Sequence, residues 1–139
     1  MTISKDDWRE NISNCLFELG SIKFQKKAWL AEVDDYVGLY GESIERLGDC
    51  AVWEDLEDFY EEGFLSIIEK EKIKNLLVEI DKTNQFNEWD NYHSKEELER
   101  IWENPLWKRI SSIANDLLLN HFKENYISQK WDIDYKELN

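Results

Sequence analysis

The sequence predicts an all-α protein, folded as a single compact domain over residues 1–139 with about six helices. Apolar residues recur at helical spacing along most of the chain, and Ser or Asn residues stand where helix N-caps belong. Turn residues are scarce, with one proline and five glycines, whereas a β-sandwich needs frequent turns. Seven Trp, six Tyr and six Phe can supply a large core, and this aromatic content argues against disorder despite a net charge of −14.

The N-terminal part of the chain predicts two helices and a short third turn. Ser4 is suited to cap the first helix, which ends at Gly20 and carries the stripe Trp8, Ile12, Cys15, Leu16 and Leu19. Ser21 is suited to cap the second helix, whose expected buried positions are Ile22, Trp29, Leu30, Val33 and Val37. A short helical turn is expected at Ser43–Leu47.

The middle of the chain predicts two more helices and a loop. Asp49 can cap a helix that runs to Gly63, with the apolar stripe Val52, Trp53, Leu56, Phe59 and Tyr60. Ser66 and Glu69 have capping-box spacing, and they precede the stripe Ile73, Leu76, Leu77 and Ile80. The polar stretch Lys82–His93, with Phe86 and Trp89 embedded, is predicted to be the longest loop.

The C-terminal part predicts two helices and a tail. Ser94 and Glu97 form a second capping box, and Asn104 places Pro105 at the first position of the last helix. This helix should cover about 18 residues, or about 28 Å, and lie at the centre of the fold. The tail Tyr126–Asn139 alternates apolar and polar residues, so a short extended C-terminal segment that packs across the last helix stays open.

The termini and cysteines indicate a soluble, cytoplasmic protein. The N-terminus is charged from its first residues, without the apolar stretch of a signal peptide, and no apolar run approaches the ~20 residues that span a bilayer. Cys15 and Cys50 form neither a metal motif nor a disulfide framework, and Cys15 falls on the apolar face of the first helix.

The sequence contains no recognisable catalytic, metal or cofactor motif. His93 and His121 have no ligand partner at zinc spacing, and His121 is predicted to lie at a helix end. Asp132 and Asp134 begin like a calcium loop, but Glu137 occupies the glycine position. We therefore expect no catalytic residue, no metal and no cofactor. A catalytic carboxylate pair stays open, because many of the 31 acidic residues could form one.

The negative charge is concentrated in one segment. Residues 32–62 contain twelve acidic residues and a single base, Arg46. Glu54, Glu57, Asp58 and Glu61 have i, i+3, i+4 and i+7 spacing, so they share one helix face. A solvated outer face is the simplest interpretation. However, such a face usually mixes lysines with its acids, and like charges at this spacing destabilise a helix. These four residues are therefore predicted to bind a basic partner.

Other residues extend the predicted partner-binding surface. Asp34 and Asp35 join the acidic patch if the second helix packs nearby. The tryptophans on helical segments are predicted to be core. Trp89, in the polar loop, and Trp131, in the tail, are the two predicted to be exposed and are assigned to the partner-binding surface, while packing stays open as the alternative for both.

In size, charge, helical content and lack of catalytic motifs, the chain resembles the small acidic immunity proteins that bacteria hold against nuclease toxins and other polymorphic toxins. This resemblance implies an inhibitor that covers the active site of a basic toxin domain, with the acidic face meeting substrate-binding Lys and Arg residues. It rests on overall character, so no family residues are carried over.

Two alternatives belong to other functional classes. The chain could be a nucleic-acid mimic of phage or mobile-element origin, whose carboxylates replace phosphates in the groove of a DNA-binding enzyme. It could also be a small enzyme or ligand-binding protein with an aromatic pocket. Direct nucleic-acid binding is disfavoured by the net charge, and membrane binding by the lack of a basic amphipathic helix.

Overall fold

The computed structural model describes residues 3–29, 44–48, 53–86, 88–89, 92 and 94–125. Several residues considered above lie outside these ranges, namely Leu30, Val33, Asp34, Asp35, Val37, Asp49, Cys50, Val52, His93 and the tail from residue 126. The side chains of Trp29 and Trp53 are also outside the description.

The described residues confirm the all-α prediction, since they contain helices and no strand. The α-helices are α1 (Lys5–Gly20), α2 (Ile22–Trp29), α3 (Leu56–Glu61), α4 (Ile67–Asp81), α5 (Lys95–Glu103) and α6 (Pro105–Leu117). Residues 44–48 are also helical. Short 3₁₀ turns precede α3 at Trp53–Asp55 and follow α4 at Lys82–Gln85. A π-helical turn, Leu118–Phe122, and a 3₁₀ turn, Lys123–Asn125, continue α6.

The predicted caps explain why these helices begin where they do. The Ser4 hydroxyl accepts a hydrogen bond from the backbone N–H of Asp7. Reciprocal capping boxes form at the starts of α4 and α5. The side chain of Asn104 accepts from the N–H of Leu106 at 2.8 Å, with Pro105 in the first turn of α6. Each cap satisfies backbone donors that have no partner within the helix.

Helix α6 lies at the centre of the packing, as the sequence predicts. It contacts α1, α4 and α5, and its buried side chains Trp107, Ile110, Ala114 and Leu117 join one apolar core. Among the described residues, no helix is long and apolar enough to cross a membrane.

Gln25 of α2 connects three elements within this core. Its side-chain amide nitrogen donates to the carbonyl oxygens of Glu18 and Leu19 at the end of α1, at 2.7 and 2.9 Å. Its side-chain oxygen accepts from the indole N–H groups of Trp102 and Trp107, at 3.2 and 3.1 Å. Gln25 is fully buried, so these bonds satisfy donors and acceptors that water cannot reach.

Two predicted elements differ in the structure. Within the described part of the helix predicted between Asp49 and Gly63, a 3₁₀ turn at Trp53–Asp55 leads into α3. Gly63 ends this segment with a φ of 82°, a conformation that favours glycine. The predicted loop at Lys82–His93 begins with a 3₁₀ turn, since the chain continues helically beyond α4.

Candidate functional site

The acidic face is presented by a short helix that is anchored in the core. Leu56 and Phe59 of α3 are buried, and the Phe59 ring stacks on Trp8 at 4.7 Å between centroids. These contacts turn Glu54, Asp58 and Glu61 outward, and all three are exposed. No ion pair involves these three acids within the described part of the chain. Glu62, which follows the helix, is also exposed.

Glu57 differs from its three neighbours because α4 supplies it with two lysines. Its carboxylate accepts hydrogen bonds from the ammonium groups of Lys70, at 2.7 Å, and Lys74, at 3.3 Å. The hydrogen bond from Lys70, with a smaller contribution from Lys74, lowers the pKa of Glu57. The same bond raises the pKa of Lys70. Although α3 itself contributes no base, lysines of the neighbouring helix α4 therefore offset the charge of Glu57.

The prediction that Trp89 is exposed is also wrong. Trp89 retains only 3% of its surface exposed. Its ring stacks on Phe86 at 4.6 Å and meets Trp107 edge-on at 6.4 Å. Burial of large rings against each other outweighs the polar composition of the surrounding sequence. Trp89 thus belongs to the core. The other predicted partner-binding residues, Asp34, Asp35 and Trp131, lie outside the described residues.

Apolar side chains are exposed next to the acidic face. Tyr60 is 38% exposed, Ile67 is 47% exposed and Ile68 is 59% exposed. The Lys70 ammonium group lies over the Tyr60 ring, 4.4 Å from its centroid. Ile67 precedes Lys70 by three positions, so both lie on the same side of α4. Large apolar residues and acids therefore meet at the junction of α3 and α4. Only the acidic part of this surface was predicted from the sequence, because Tyr60 belongs to an apolar stripe that was predicted to be buried.

A second candidate site is a cluster of buried charged groups around Arg9. The guanidinium group forms a paired hydrogen bond with Glu69, at 3.0 and 3.1 Å, and their side chains are 13% and 10% exposed. It also donates to the carbonyl oxygens of Phe64, at 3.0 Å, and His121, at 2.7 Å, and to the side chain of Asn125, at 3.2 Å. All five guanidinium N–H groups are thereby used.

Glu69 is the acceptor at the centre of this Arg9 cluster. Burial raises the pKa of Glu69, but hydrogen bonds from Arg9 and from the Ser66 backbone outweigh burial, so the net pKa is lowered. The carboxylate also lies 3.6 Å from Nδ1 of His121. Glu69 is thus held ionised while it completes the capping box of α4.

His121 contacts α4 through both ring nitrogens. Nδ1 faces Glu69, and Nε2 lies 3.1 Å from the ammonium group of Lys72, which also pairs with Asp116 at 3.1 Å. The sequence predicts a histidine at a helix end and cannot show these contacts, which join residues about 50 positions apart.

A cleft of about 720 Å³ opens beside the Arg9 cluster. Its lining combines the start of α1, the turn before α4 and the end of the α6 segment, and includes Lys5, Asp6, Leu119, Asn120 and Lys123. The lining carries both signs of charge, and the donors of Arg9 are already satisfied. Within the described ranges, no group of three or more His, Cys, Asp or Glu residues could hold a metal ion. The contacts of Arg9 make this cluster a structural link between α1, the start of α4 and the end of the α6 segment.

Comparison with protein-family models, with curated proteins and with solved structures found no match to this chain.

Proposed function

We propose that the chain is a protein-binding inhibitor that uses the acidic face of α3 to recognise a basic partner, most simply as an immunity protein against a basic, nuclease-like toxin domain. The observation that supports this most is the exposure of Asp58 and Glu61 on α3, and of Glu54 in the 3₁₀ turn before it, while Leu56 and Phe59 of α3 are buried in the core. A fixed helix presents the charges in a constant arrangement, so little conformational freedom is lost on binding.

Electrostatic steering gives this arrangement a function. A concentrated negative patch raises the rate of encounter with a basic surface well above that of a neutral pair at low salt. The net charge of −14 adds a long-range attraction of the same sign. An inhibitor that must capture its target before the target acts benefits from fast association.

The nucleic-acid mimic is less well supported by the same geometry. Glu54 and Glu61 are seven positions apart, which corresponds to about 10 Å of helix. DNA carries about one charge per 1.7 Å over its whole length. In addition, Lys70 and Lys74 neutralise Glu57 in the middle of this short track. The face fits one compact basic surface better than an extended groove.

Affinity capture with matched variants tests the proposal. Tagged wild type, a triple reversal (Glu54→Lys, Asp58→Lys, Glu61→Lys) and a control reversal on α5 (Glu96→Lys, Glu99→Lys, Glu103→Lys) are exposed to nuclease-treated lysate of the source organism. Both variants change the net charge equally, and the control acids are also exposed. Glu57 is left unchanged because it holds Lys70 and Lys74.

One basic protein, retained by wild type and the control and lost by the triple reversal, is the expected result. If both variants lose the captured protein equally, binding depends only on net charge. If both retain it equally, the acidic face has no role in binding. Capture of many DNA-binding proteins would instead favour mimicry.

A further inference from the structure

We infer that the contact surface extends beyond the acids to Tyr60, Ile67 and Ile68, and that it fits an amphipathic segment of the partner in which basic residues surround large apolar ones. This inference rests on the proposed function and specifies the chemistry of the partner. We call Tyr60, Ile67 and Ile68, together with Asp58, Glu61, Glu62 and Glu71, the junction surface.

The apolar exposure at this position is concentrated. Three of the five large apolar side chains that are exposed among the described residues lie within nine positions of one another, beside α3. Scattered exposed apolar residues need no explanation, whereas a contiguous patch with a polar rim is typical of an interaction site. Ile68 is the most exposed of the five, at 59%.

The surroundings of the patch select its occupant. Asp58, Glu61 and Glu62 are exposed and lie within two positions of Tyr60 in the sequence, and the exposed Glu71 follows Ile67 and Ile68 by one helical turn on α4. Lys70 and Lys74 share the single carboxylate of Glu57, and the one positive charge that remains is outnumbered by the four exposed carboxylates. The rim therefore offers negative charge around an apolar centre, which complements a basic amphipathic segment.

A second copy of this chain is disfavoured by the same rim. Pairing two junction surfaces would bring two sets of carboxylates together, and like-charge juxtaposition at an interface costs several kcal/mol. A basic partner meets the same carboxylates with favourable charge. Apolar contact then slows dissociation, while the acids mainly raise the association rate.

Two synthetic peptides of equal charge test the inference on the full chain. The first is a helical peptide of about 18 residues, made of lysine and leucine with leucines at one face. The second carries glutamine in place of every leucine. Binding is followed by ¹H–¹⁵N NMR titration of wild type, an Ile67→Ser/Ile68→Ser variant, a Val78→Ser control and the triple reversal of α3. Val78 is exposed on the same helix, about 16 Å further along its axis.

The lysine–leucine peptide should bind wild type more tightly than the lysine–glutamine peptide and shift the signals of residues 58–71. Each serine at positions 67 and 68 should weaken binding about tenfold, because roughly half of an isoleucine side chain loses its apolar partner. Val78→Ser should leave the affinity unchanged. If the double variant lowers the melting temperature, Ile68→Ser alone gives the same comparison, since Ile68 lies mostly outside the packed core.

The possible results distinguish the role of the apolar residues from the role of the acidic face. Equal binding of both peptides, with no effect of Ile67→Ser/Ile68→Ser but a loss in the triple reversal, would overturn the inference and leave the proposed function in place. Binding unaffected by the triple reversal would contradict the proposed function itself. A wild-type dimer in sedimentation that Ile67→Ser/Ile68→Ser converts to monomer would assign the surface to a second copy and also overturn the inference.

Discussion

Replacing Arg9 by methionine should destabilise the protein strongly. Methionine keeps much of the apolar stem but removes the guanidinium group, which donates to Glu69, to two backbone carbonyls and to Asn125 and lies 4.2 Å from the Phe122 ring centroid. The Glu69 carboxylate would then remain buried without its cationic partner. The Arg9 cluster also joins α1, α4 and the end of the α6 segment, so the substitution removes hydrogen bonds that hold these three elements together.

The size of the effect follows from the burial of the pair. Removing one partner of a buried ion pair typically costs about 3–5 kcal/mol. Domains of this size have a total stability of about 5–15 kcal/mol, so this one change removes a large fraction. At about 3–4 °C per kcal/mol, the melting temperature should fall by roughly 10–20 °C.

Chemical denaturation in urea, followed by tryptophan fluorescence, measures this change. Arg109→Met is the matched control, because Arg109 forms one ion pair with Glu79 at 3.3 Å and is mostly exposed. Glu79 is only 11% exposed, but it keeps its second partner, Lys82 at 3.0 Å, when Arg109 is removed, so the control should stay close to wild type. In the double variant Arg9→Met/Glu69→Gln, the loss should be smaller than the sum of the single losses, because the uncompensated charge is removed. A loss for Arg9→Met no larger than for Arg109→Met would refute the anchoring role of Arg9.

The remaining predictions concern two core contacts and the dependence on pH. Gly20→Ala should destabilise the protein by about 1–3 kcal/mol in urea denaturation, because the added methyl group would overlap the Asn115 side chain; an unchanged midpoint would show that Asn115 can move aside. Gln25→Leu should lower the free energy of unfolding by about 2–4 kcal/mol and shift the tryptophan fluorescence spectrum, since the buried indole N–H groups of Trp102 and Trp107 lose their acceptor. An unchanged free energy of unfolding would mean that the indole groups find other acceptors. The pKa of Glu69 is lower in the folded state than in the unfolded state. The stability that its ionised carboxylate contributes is therefore complete above the unfolded-state pKa and is lost as the pH falls through the folded-state pKa. The difference in unfolding free energy between wild type and Glu69→Gln should therefore shrink as the pH falls below 4.5, the ordinary pKa of a glutamate, whereas a difference that stays constant on acidification would contradict the pairing.

Helix starts were predictable from the sequence because caps are local. The capping residues Ser4, Ser66, Ser94 and Asn104 act on donors two or three positions away, so spacing alone identifies them. The same holds for the helical periodicity of the core, for example the burial of Trp8, Ile12 and Ile73.

The charged contacts were not predictable in the same way. Glu57 meets lysines 13 and 17 positions away, and Arg9 meets partners between 55 and 116 positions away. Such pairs depend on how helices pack, which periodicity does not encode. The burial of Trp89 was not predictable for the same reason. Most of its neighbours in the sequence are polar, whereas its ring packs against Phe86 and Trp107 in the structure. Of the candidate site, the exposure of Glu54, Asp58 and Glu61 is confirmed, and their role in binding stays a prediction.

The association rate of the captured basic protein tests the central claim most directly. Stopped-flow mixing with wild type, the triple reversal of α3 and the control reversal of α5 would give rate constants over a range of salt concentrations. We expect the triple reversal to slow association at low salt by about tenfold or more relative to the control reversal, and the difference to shrink as salt increases. Equal rate constants for the two reversals at low salt would contradict the claim that the acidic face directs binding.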